Sequence, residues 1–263
     1  MAPILIQAPD VAAGLVRLWW PVLRIGGLIV AAPIVNHPSV PVLAKIGLTL
    51  ALAFVLAPLA SVPAGLTIFS GAGLLAALEE VLIGISLGLI VQLAFEALDF
   101  AGQSISTSMG LGFATLVDPQ HGAGVPVLGQ LFTMFGLLAY LAVNGHLLLL
   151  GALARSFHTL PIGTLPLGRD MLMGIASWGA RIFEIGLLIA LPAVIALVII
   201  NLALGVVSRA APQLNLFGIG FTVTLLSGLF VLIAGIDGMM AGVSGLIESV
   251  VRAAQDFTDP VVH

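Results

Sequence analysis

The sequence has no cysteine and very few charged residues. The absence of cysteine excludes disulfides, thiolate nucleophiles and cysteine metal sites. Among the 263 residues, 8 are Lys or Arg and 12 are Asp or Glu, so only 8% are charged, whereas about 25% is usual in a soluble domain. The formal net charge of −4 gives no indication of a nucleic-acid partner, and we predict none.

Hydrophobic residues, in contrast, make up 60% of the chain, against roughly 45 to 50% in a soluble domain. A membrane-spanning helix needs about 20 apolar residues, and breaks rich in proline and glycine divide the chain into about six apolar segments. These segments cover approximately residues 15–34, 42–59, 74–98, 125–154, 175–207 and 216–247. The sequence therefore predicts an all-α, membrane-associated protein of one domain, residues 1–263, with no room for a large soluble enzyme domain.

The fourth of these segments is the longest without Lys, Arg, Asp or Glu, and it runs from Val125 to Ala154. Its uninterrupted apolar character predicts a single membrane span. The fifth and sixth segments follow a short connector that contains prolines and glycines. The C-terminal stretch beyond the sixth segment, from Arg252 to His263, is polar and is predicted to be a tail.

The segment from Met109 to Gln120 is apolar and interrupted by glycine where a connecting loop is normally polar. Buried irregular backbone leaves N–H and C=O groups without partners, so an apolar loop in a membrane protein is expected against protein or in a cavity. It is either a plug or gate, or a structural loop buried against a neighbouring subunit. In a plug, Met109 and Phe113 would fill the pore, while Gly110 and Gly112 would allow movement.

Charged side chains also lie inside or at the ends of the apolar segments: Arg24, Lys45, Glu79, Glu80, Glu96, Asp99, Glu184 and Asp237. A charge at the bilayer centre costs at least about 2.5 to 3.5 kcal/mol, so these groups are expected to face protein or water. Three interpretations remain open: a proton or ion pathway, pairs within the chain or with partner subunits, and snorkelling near helix ends.

Two predictions concern the third segment, which contains several of these charges. Gly84 and Gly88 follow Glu80 at helical spacing, and small residues at this spacing favour close packing of helices. Glu96 and Asp99 come just ahead of the apolar loop, where they could cap or pair with a basic group on a neighbouring helix. Because loss of one partner of a buried pair is costly, we expect these two carboxylates to act in assembly.

No group of residues in the sequence predicts catalysis or a bound cofactor. His146 lies in Asn144-Gly145-His146, and no second His or carboxylate follows it at i+3 or i+4 to complete a metal site. A proton relay is possible in principle, but a hydrogen bond to a neighbouring helix is the expected role. Ser104 and Ser106 have no nearby His or Lys to activate them as nucleophiles. We therefore predict a protein that is not an enzyme and holds no metal or cofactor.

A combination of short strings resembles the export-gate family that contains the flagellar FliR and injectisome SctT proteins. The strings cover nearly the whole chain and are Arg24 to Gly27, Ala32-Pro33, Val40-Pro41, Glu96 to Leu98, Ala101 to Gln103, Met109 to Ala114, Val117 to Gln120, Val125 to Gln130, Asn144 to His146 and Arg209 to Asn215. His121 departs from the pattern, because the family more often has a small polar residue after Asp-Pro-Gln. The flagellar and injectisome branches both remain open on these strings.

The resemblance implies a subunit of the type III protein export gate, in the bacterial inner membrane and the flagellar basal body. FliP and FliQ subunits, FlhB, exported proteins and the lipid membrane are the implied partners, and other components supply the energy. An N-terminal FliP-like part and a C-terminal FliQ-like part would form helical hairpins around a central channel.

The residues implied to act in this gate fall into two groups. The pore plug comprises Met109, Gly110, Leu111, Gly112 and Phe113. The loop and assembly contacts comprise Glu96, Asp99, Asp118, Pro119, Gln120, Asn144 and His146. An independent transporter or channel is the alternative function, but it would need paired inverted repeats, and none is evident in the sequence.

Overall fold

A computed structural model of the chain describes residues 8–111, 127–164, 169–210 and 220–258. Every regular element in these ranges is a helix, and none is a strand, so the all-α prediction is confirmed for them. The helices are α1 (Ala8–Ala31), α2 (Val42–Leu56), α3 (Gly71–Ser108), α4 (Val127–Ala142), α5 (Gly145–Thr159), α6 (Arg169–Ala210) and α7 (Phe221–Thr258). A 3₁₀ turn, Ala57–Leu59, extends α2.

Several described helices are long and apolar enough to cross a membrane. Four stretches meet both criteria: Val42–Leu59, Gly71–Ser108, Ala176–Ala210 and Phe221–Thr258. Helices α4 and α5 meet them as a pair, so a broken fifth span is also compatible with their length and composition. The prediction of about six apolar segments is therefore approximate in number and correct in kind.

The fourth apolar segment is not the unbroken span that the sequence predicts. Val143 and Asn144 separate α4 from α5, and Asn144 has φ 55° and ψ 32°, in the left-handed region. Asparagine tolerates this conformation better than most residues because its short polar side chain can hydrogen-bond locally. The absence of charge thus predicts an apolar segment correctly but does not reveal a backbone break within it.

Two further helix ends differ from the sequence prediction. Helix α3 continues to Ser108, so Glu96 and Asp99 are helical residues rather than residues next to the loop. Helix α7 continues to Thr258, so the polar C-terminal stretch is largely helical. Glu96 and Gln103 of α3 are exposed and Asp99 is half-buried, whereas Thr258 of α7 is fully buried, so a fall in hydrophobicity alone does not end a helix.

The described chain forms two compact units, each built from segments that are distant in sequence. The first comprises Met1–Gln92, Asn144–Trp178 and Val250–His263. Its hydrophobic core contains Trp20, Ala76 and Ile162. The second comprises Leu93–Val143 and Gly179–Ser249. Neither unit is a continuous stretch of sequence, and the proposed FliP-like and FliQ-like parts stay a prediction.

In the first unit, glycines bring α1 and α3 into backbone contact. A Cβ atom added at Gly84 would overlap the carbonyl oxygen of Arg24, and one at Gly88 would lie 2.6 Å from the Cβ of Ala31. On α1, a Cβ at Gly27 would lie 2.5 Å from the carbonyl oxygen of Val81. The predicted packing face of α3 is therefore confirmed.

In the second unit, close contacts join α3 to α4 and to α6. A Cβ atom at Gly102 would lie 2.5 Å from the backbone nitrogen of Gly129. Phe95 and Tyr140 form an edge-to-face ring pair with centroids 6.1 Å apart. Phe100 and Phe183 form a second such pair at 5.7 Å. These contacts hold the C-terminal half of α3, from which the apolar loop continues.

The α1–α3 contact predicts a specific effect of adding one methyl group. We expect Gly84→Ala to lower the free energy of unfolding by about 1 to 3 kcal/mol, because the new Cβ must displace the Arg24 backbone. Thermal unfolding of the purified chain in detergent measures this. Gly47→Ala is the control, because Gly47 lies in a helix with nothing within 4 Å of an added Cβ, and alanine there should stabilise the helix. Equal stability of the two variants would contradict the close contact.

Candidate functional site

The end of α3 places Met109 at the start of the candidate plug. Gly110 has φ 80°, its N–H bonds the carbonyl of Thr107 at 3.0 Å, and the N–H of Leu111 bonds that of Ser106 at 3.1 Å. This pair of bonds is a Schellman motif, in which a left-handed residue, usually glycine, ends the helix. Gly110 therefore has a structural role as the helix terminator, while its predicted role as a pivot stays a prediction.

Met109 is 3% exposed and packs against α7. A Cβ atom at Gly228 would lie 2.5 Å from Cγ and 2.6 Å from Cε of Met109, so the methionine occupies the space that a side chain at position 228 would need. The side-chain amide of Asn201 on α6 donates to the carbonyl oxygen of Ser108 at 3.0 Å. Within the second unit, α7 thus contacts the side chain of Met109, and α6 holds the backbone of the residue directly before it.

The rest of the candidate plug is only partly described. Leu111 is half-buried. Gly112, Phe113, Asp118, Pro119 and Gln120 lie outside the described residues. The structure therefore shows how the segment begins, and its function as a plug stays a prediction.

The two carboxylates of α3 have different surroundings. Asp99 is half-buried and accepts a hydrogen bond from the side-chain amide of Gln103, one helical turn later. A Cβ atom at Gly129 would overlap its Oδ1, so Asp99 also lies directly against α4. Glu96 is exposed on the same helix. Asp99 is thus placed at a contact between helices, and the proposed assembly role of both residues stays a prediction.

Asn144 and His146 lie at the break between α4 and α5. The carbonyl of Asn144 accepts hydrogen bonds from the N–H groups of Leu147 and Leu148, at 2.9 and 3.0 Å, and so begins α5. Nδ1 of the half-buried His146 makes no hydrogen bond to the described residues. Among those residues no group of three or more His, Asp or Glu side chains could hold a metal ion. Asn144 therefore has a local structural role that its position in an apolar run did not reveal.

The first unit contains a buried ion pair with many hydrogen bonds. Arg24 on α1 and Glu80 on α3 are both fully buried. Nε and Nη2 of Arg24 donate to the two carboxylate oxygens of Glu80 at 2.8 and 2.7 Å. This two-bond geometry is the strongest arrangement available to an arginine and a carboxylate.

The same guanidinium also binds the C-terminal end of α5. Nη1 donates to the carbonyl and hydroxyl oxygens of Ser156 at 2.7 and 3.0 Å, and Nη2 donates to the carbonyl oxygen of Leu160 at 2.7 Å. The carbonyl oxygen of Ser156 also accepts the N–H of Leu160 at 3.0 Å, and the C-terminal end of a helix attracts cations. The ring of Phe157 covers the guanidinium, with 4.4 Å between its centroid and Cζ. These five residues are called the Arg24 cluster.

Three interpretations are open for the internal charges. For Arg24 and Glu80, the Arg24 cluster confirms the interpretation that they pair within the chain. Opposite charges in two apolar segments are the sequence signal for such a pair. Of the other charges, Lys45 donates to the carbonyl and side-chain oxygens of Asn36 at 3.1 and 3.2 Å. Glu184 and Asp237 are exposed, so partner contact, an ion pathway and snorkelling all remain open for them.

Comparison with known proteins identifies relatives over most of the chain. The family model described as bacterial export proteins, family 1, matches residues 15–250. The chain is 44% identical to the flagellar biosynthetic protein FliR of Escherichia coli (strain K12) over 217 residues, which is 82% of each chain. It is 41% identical to FliR of Pectobacterium carotovorum subsp. carotovorum over 82% of each chain. Its identity to FliR of Bacillus subtilis (strain 168) is 34%, over 80% of this chain and 82% of that protein.

The Arg24 cluster predicts that removing one charge is worse than removing both. We expect Arg24→Met to lower the free energy of unfolding by about 3 to 5 kcal/mol, because Glu80 is left buried and unpaired. Adding Glu80→Met should restore much of this loss. Detergent unfolding of the parent, both single variants and the double variant measures the coupling, with exposed Arg155→Met as the control. A double variant less stable than either single variant would refute the interpretation.

Proposed function

Because the chain belongs to the bacterial export proteins, family 1, and is a subunit of the flagellar type III export gate, we propose that it helps to form and close the export channel. In this proposal it assembles with FliP and FliQ subunits and with FlhB in the bacterial inner membrane. Unfolded flagellar proteins pass through the channel. The chain is a structural component of the export apparatus, and it performs no catalysis itself.

Large exposed hydrophobic side chains support assembly with other helices. In the first unit, Leu43, Phe54 and Phe69 are 82%, 73% and 102% exposed, respectively. Exposed apolar surface on this scale is compatible only with lipid or with other proteins. Internal carboxylates at the exposed positions 184 and 237 favour protein or water over lipid at those points. A subunit of a larger membrane complex satisfies both requirements.

The contact between Met109 and Gly228 is the observation that carries the proposed closure. The flexible, bulky side chain of Met109, the first residue of the apolar loop, packs against Gly228. The left-handed Gly110 follows directly and turns the chain. An apolar constriction excludes ions because water leaves it, and methionine fits irregular apolar surfaces well. In the resting gate the segment that follows Met109 closes the channel, and export displaces it.

Functional replacement tests the assignment to the flagellar gate. We expect the chain to restore swimming and secretion of flagellar proteins in a flagellated bacterium that lacks its own FliR, and to co-purify with FliP and FliQ. Swimming radius, secreted protein and the composition of the purified complex are the measurements. Insertion into the membrane without any secretion or bound subunits would contradict the proposal.

Closure by the Met109 segment predicts an ion leak. We expect Met109→Ala to leave assembly intact and to increase ion conductance of the resting complex, because the side chain that packs on Gly228 is lost. Ion flux into vesicles that contain the purified complex measures the leak. Met134→Ala is the matched control, since Met134 is 53% exposed and lies outside the segment. An assembled Met109→Ala complex as ion-tight as the parent would favour the alternative, a structural loop buried against a neighbouring subunit.

A further inference from the structure

The last carbonyl groups of α3 need hydrogen-bond donors from outside the regular helix. In the Schellman motif described above, the carbonyls of Ser106 and Thr107 accept N–H groups of residues that follow the helix. This motif does not use the carbonyl of Ser108. The side-chain amide of Asn201 on α6 donates to that carbonyl at 3.0 Å. One acceptor at the end of α3 is therefore satisfied by a different helix.

Asn201 stands out in the sequence of α6. From Ile185 to Val207 no other residue has a polar side chain, and the stretch Ala176–Ala210 is apolar enough to cross a membrane. A side-chain amide in such a helix is costly unless a hydrogen bond replaces those it makes with water. Hydrogen bonds from such side chains also fix neighbouring membrane helices. The one amide of this stretch is used on the carbonyl directly before the candidate plug.

The preceding turns of α3 pack on α6 without help from Asn201. A Cβ atom added at Gly186 would lie 2.7 Å from the carbonyl oxygen of Ala97. The ring pair of Phe100 and Phe183 adds a second contact. Loss of the amide bond would therefore release the last turn of α3 and leave the earlier turns packed.

The bond from Asn201 also acts on the residue that begins the candidate plug. The carbonyl of Ser108 and the nitrogen of Met109 belong to one planar peptide group, so a bond to this carbonyl orients the backbone from which the methionine side chain leaves. That side chain occupies the space next to Gly228, where an added Cβ would lie 2.5 Å from its Cγ. Helices α6 and α7 thus hold the backbone and the side chain at the same point of the chain.

We propose that Asn201 is a positioning residue of the gate, whose bond to the Ser108 carbonyl keeps the Met109 side chain on Gly228 while the channel is closed. This inference rests on the proposed function, because it requires that the segment after Met109 closes the channel. A single hydrogen bond between membrane helices contributes a small free energy, so it favours the closed state and can break when export displaces the segment. In this role α6 sets how readily the gate opens.

Removal of the amide donor tests the inference. Leucine suits an exposed position of an apolar helix and favours the helix, so Asn201→Leu should keep the fold. We expect it to raise the ion conductance of the resting complex about three- to tenfold, which is the contribution of one such hydrogen bond. Asn201→Gln keeps the donor and should leak less. Ser208→Ala is the matched control, since the Ser208 hydroxyl bonds the Gly205 carbonyl of α6 itself at 2.7 Å.

Two results of this comparison would overturn the inference. One is an assembled Asn201→Leu complex that is as ion-tight as the Ser208→Ala complex. The other is an equal leak from Asn201→Leu and Asn201→Gln, because the leak would then not depend on the donor.

A double variant distinguishes positioning of Met109 from a general loss of structure. If Asn201 acts through Met109, Asn201→Leu should add little to the leak of Met109→Ala, because the side chain that it positions is already absent. The yield of co-purifying subunits should be the same for the parent and Asn201→Leu. Leaks that multiply in the double variant would contradict the inference.

Hydrogen exchange tests the contact even in a variant that does not assemble. In the chain purified alone in detergent, Asn201→Leu should speed exchange of the N–H groups of Gly110 and Leu111 about three- to tenfold, because their bonds close the last turn of α3. Exchange of the N–H groups of Leu147 and Leu148, at the start of α5, should not change. Unchanged exchange at Gly110 and Leu111 would overturn the inference.

The leak of Met109→Ala separates this inference from the proposed function. If Met109→Ala leaks and Asn201→Leu does not, closure at Met109 stands and the positioning role of Asn201 fails. If neither assembled variant leaks, closure at Met109 fails and the inference fails with it. Leaks from both variants, with none from Ser208→Ala, would support both proposals.

Discussion

The first unit depends on a cation that has no access to water. All five N–H groups of the Arg24 side chain are used in hydrogen bonds to Glu80, Ser156 and Leu160. Removing a guanidinium from water costs several kcal/mol unless its bonds are replaced, so α1, α3 and the end of α5 must all be in place together. The small residues Gly27 and Gly84 allow this, because they bring the α1 and α3 backbones close enough for the arginine to reach across. The ion pair and the glycines therefore depend on the same close contact between α1 and α3.

The second unit is held by a different kind of contact, in which bulky side chains pack on glycine. Met109 on Gly228 and Ile189 on Gly242 are of this type. In a membrane the hydrophobic effect hardly favours association of helices, because lipid is as apolar as the side chains. Close packing and backbone polar groups therefore decide which helices associate. This explains why the chain contains 31 glycines and yet is largely helical. Glycine destabilises an isolated helix, and the packing it permits between helices compensates.

Composition and helix-breaking residues predicted most of the helices but not their contacts. The range of α2 with its 3₁₀ turn matches the predicted segment, because prolines flank it and mark both ends. The sequence does not predict the break at Asn144, because a single left-handed residue does not change hydrophobicity. The Arg24–Glu80 pair could be predicted only as one possibility, since its partners are 56 residues apart and pairing is decided by tertiary packing. The sequence predicts Gly110 to be a pivot, although glycine directly after a helix is also the usual signal for a C-terminal cap.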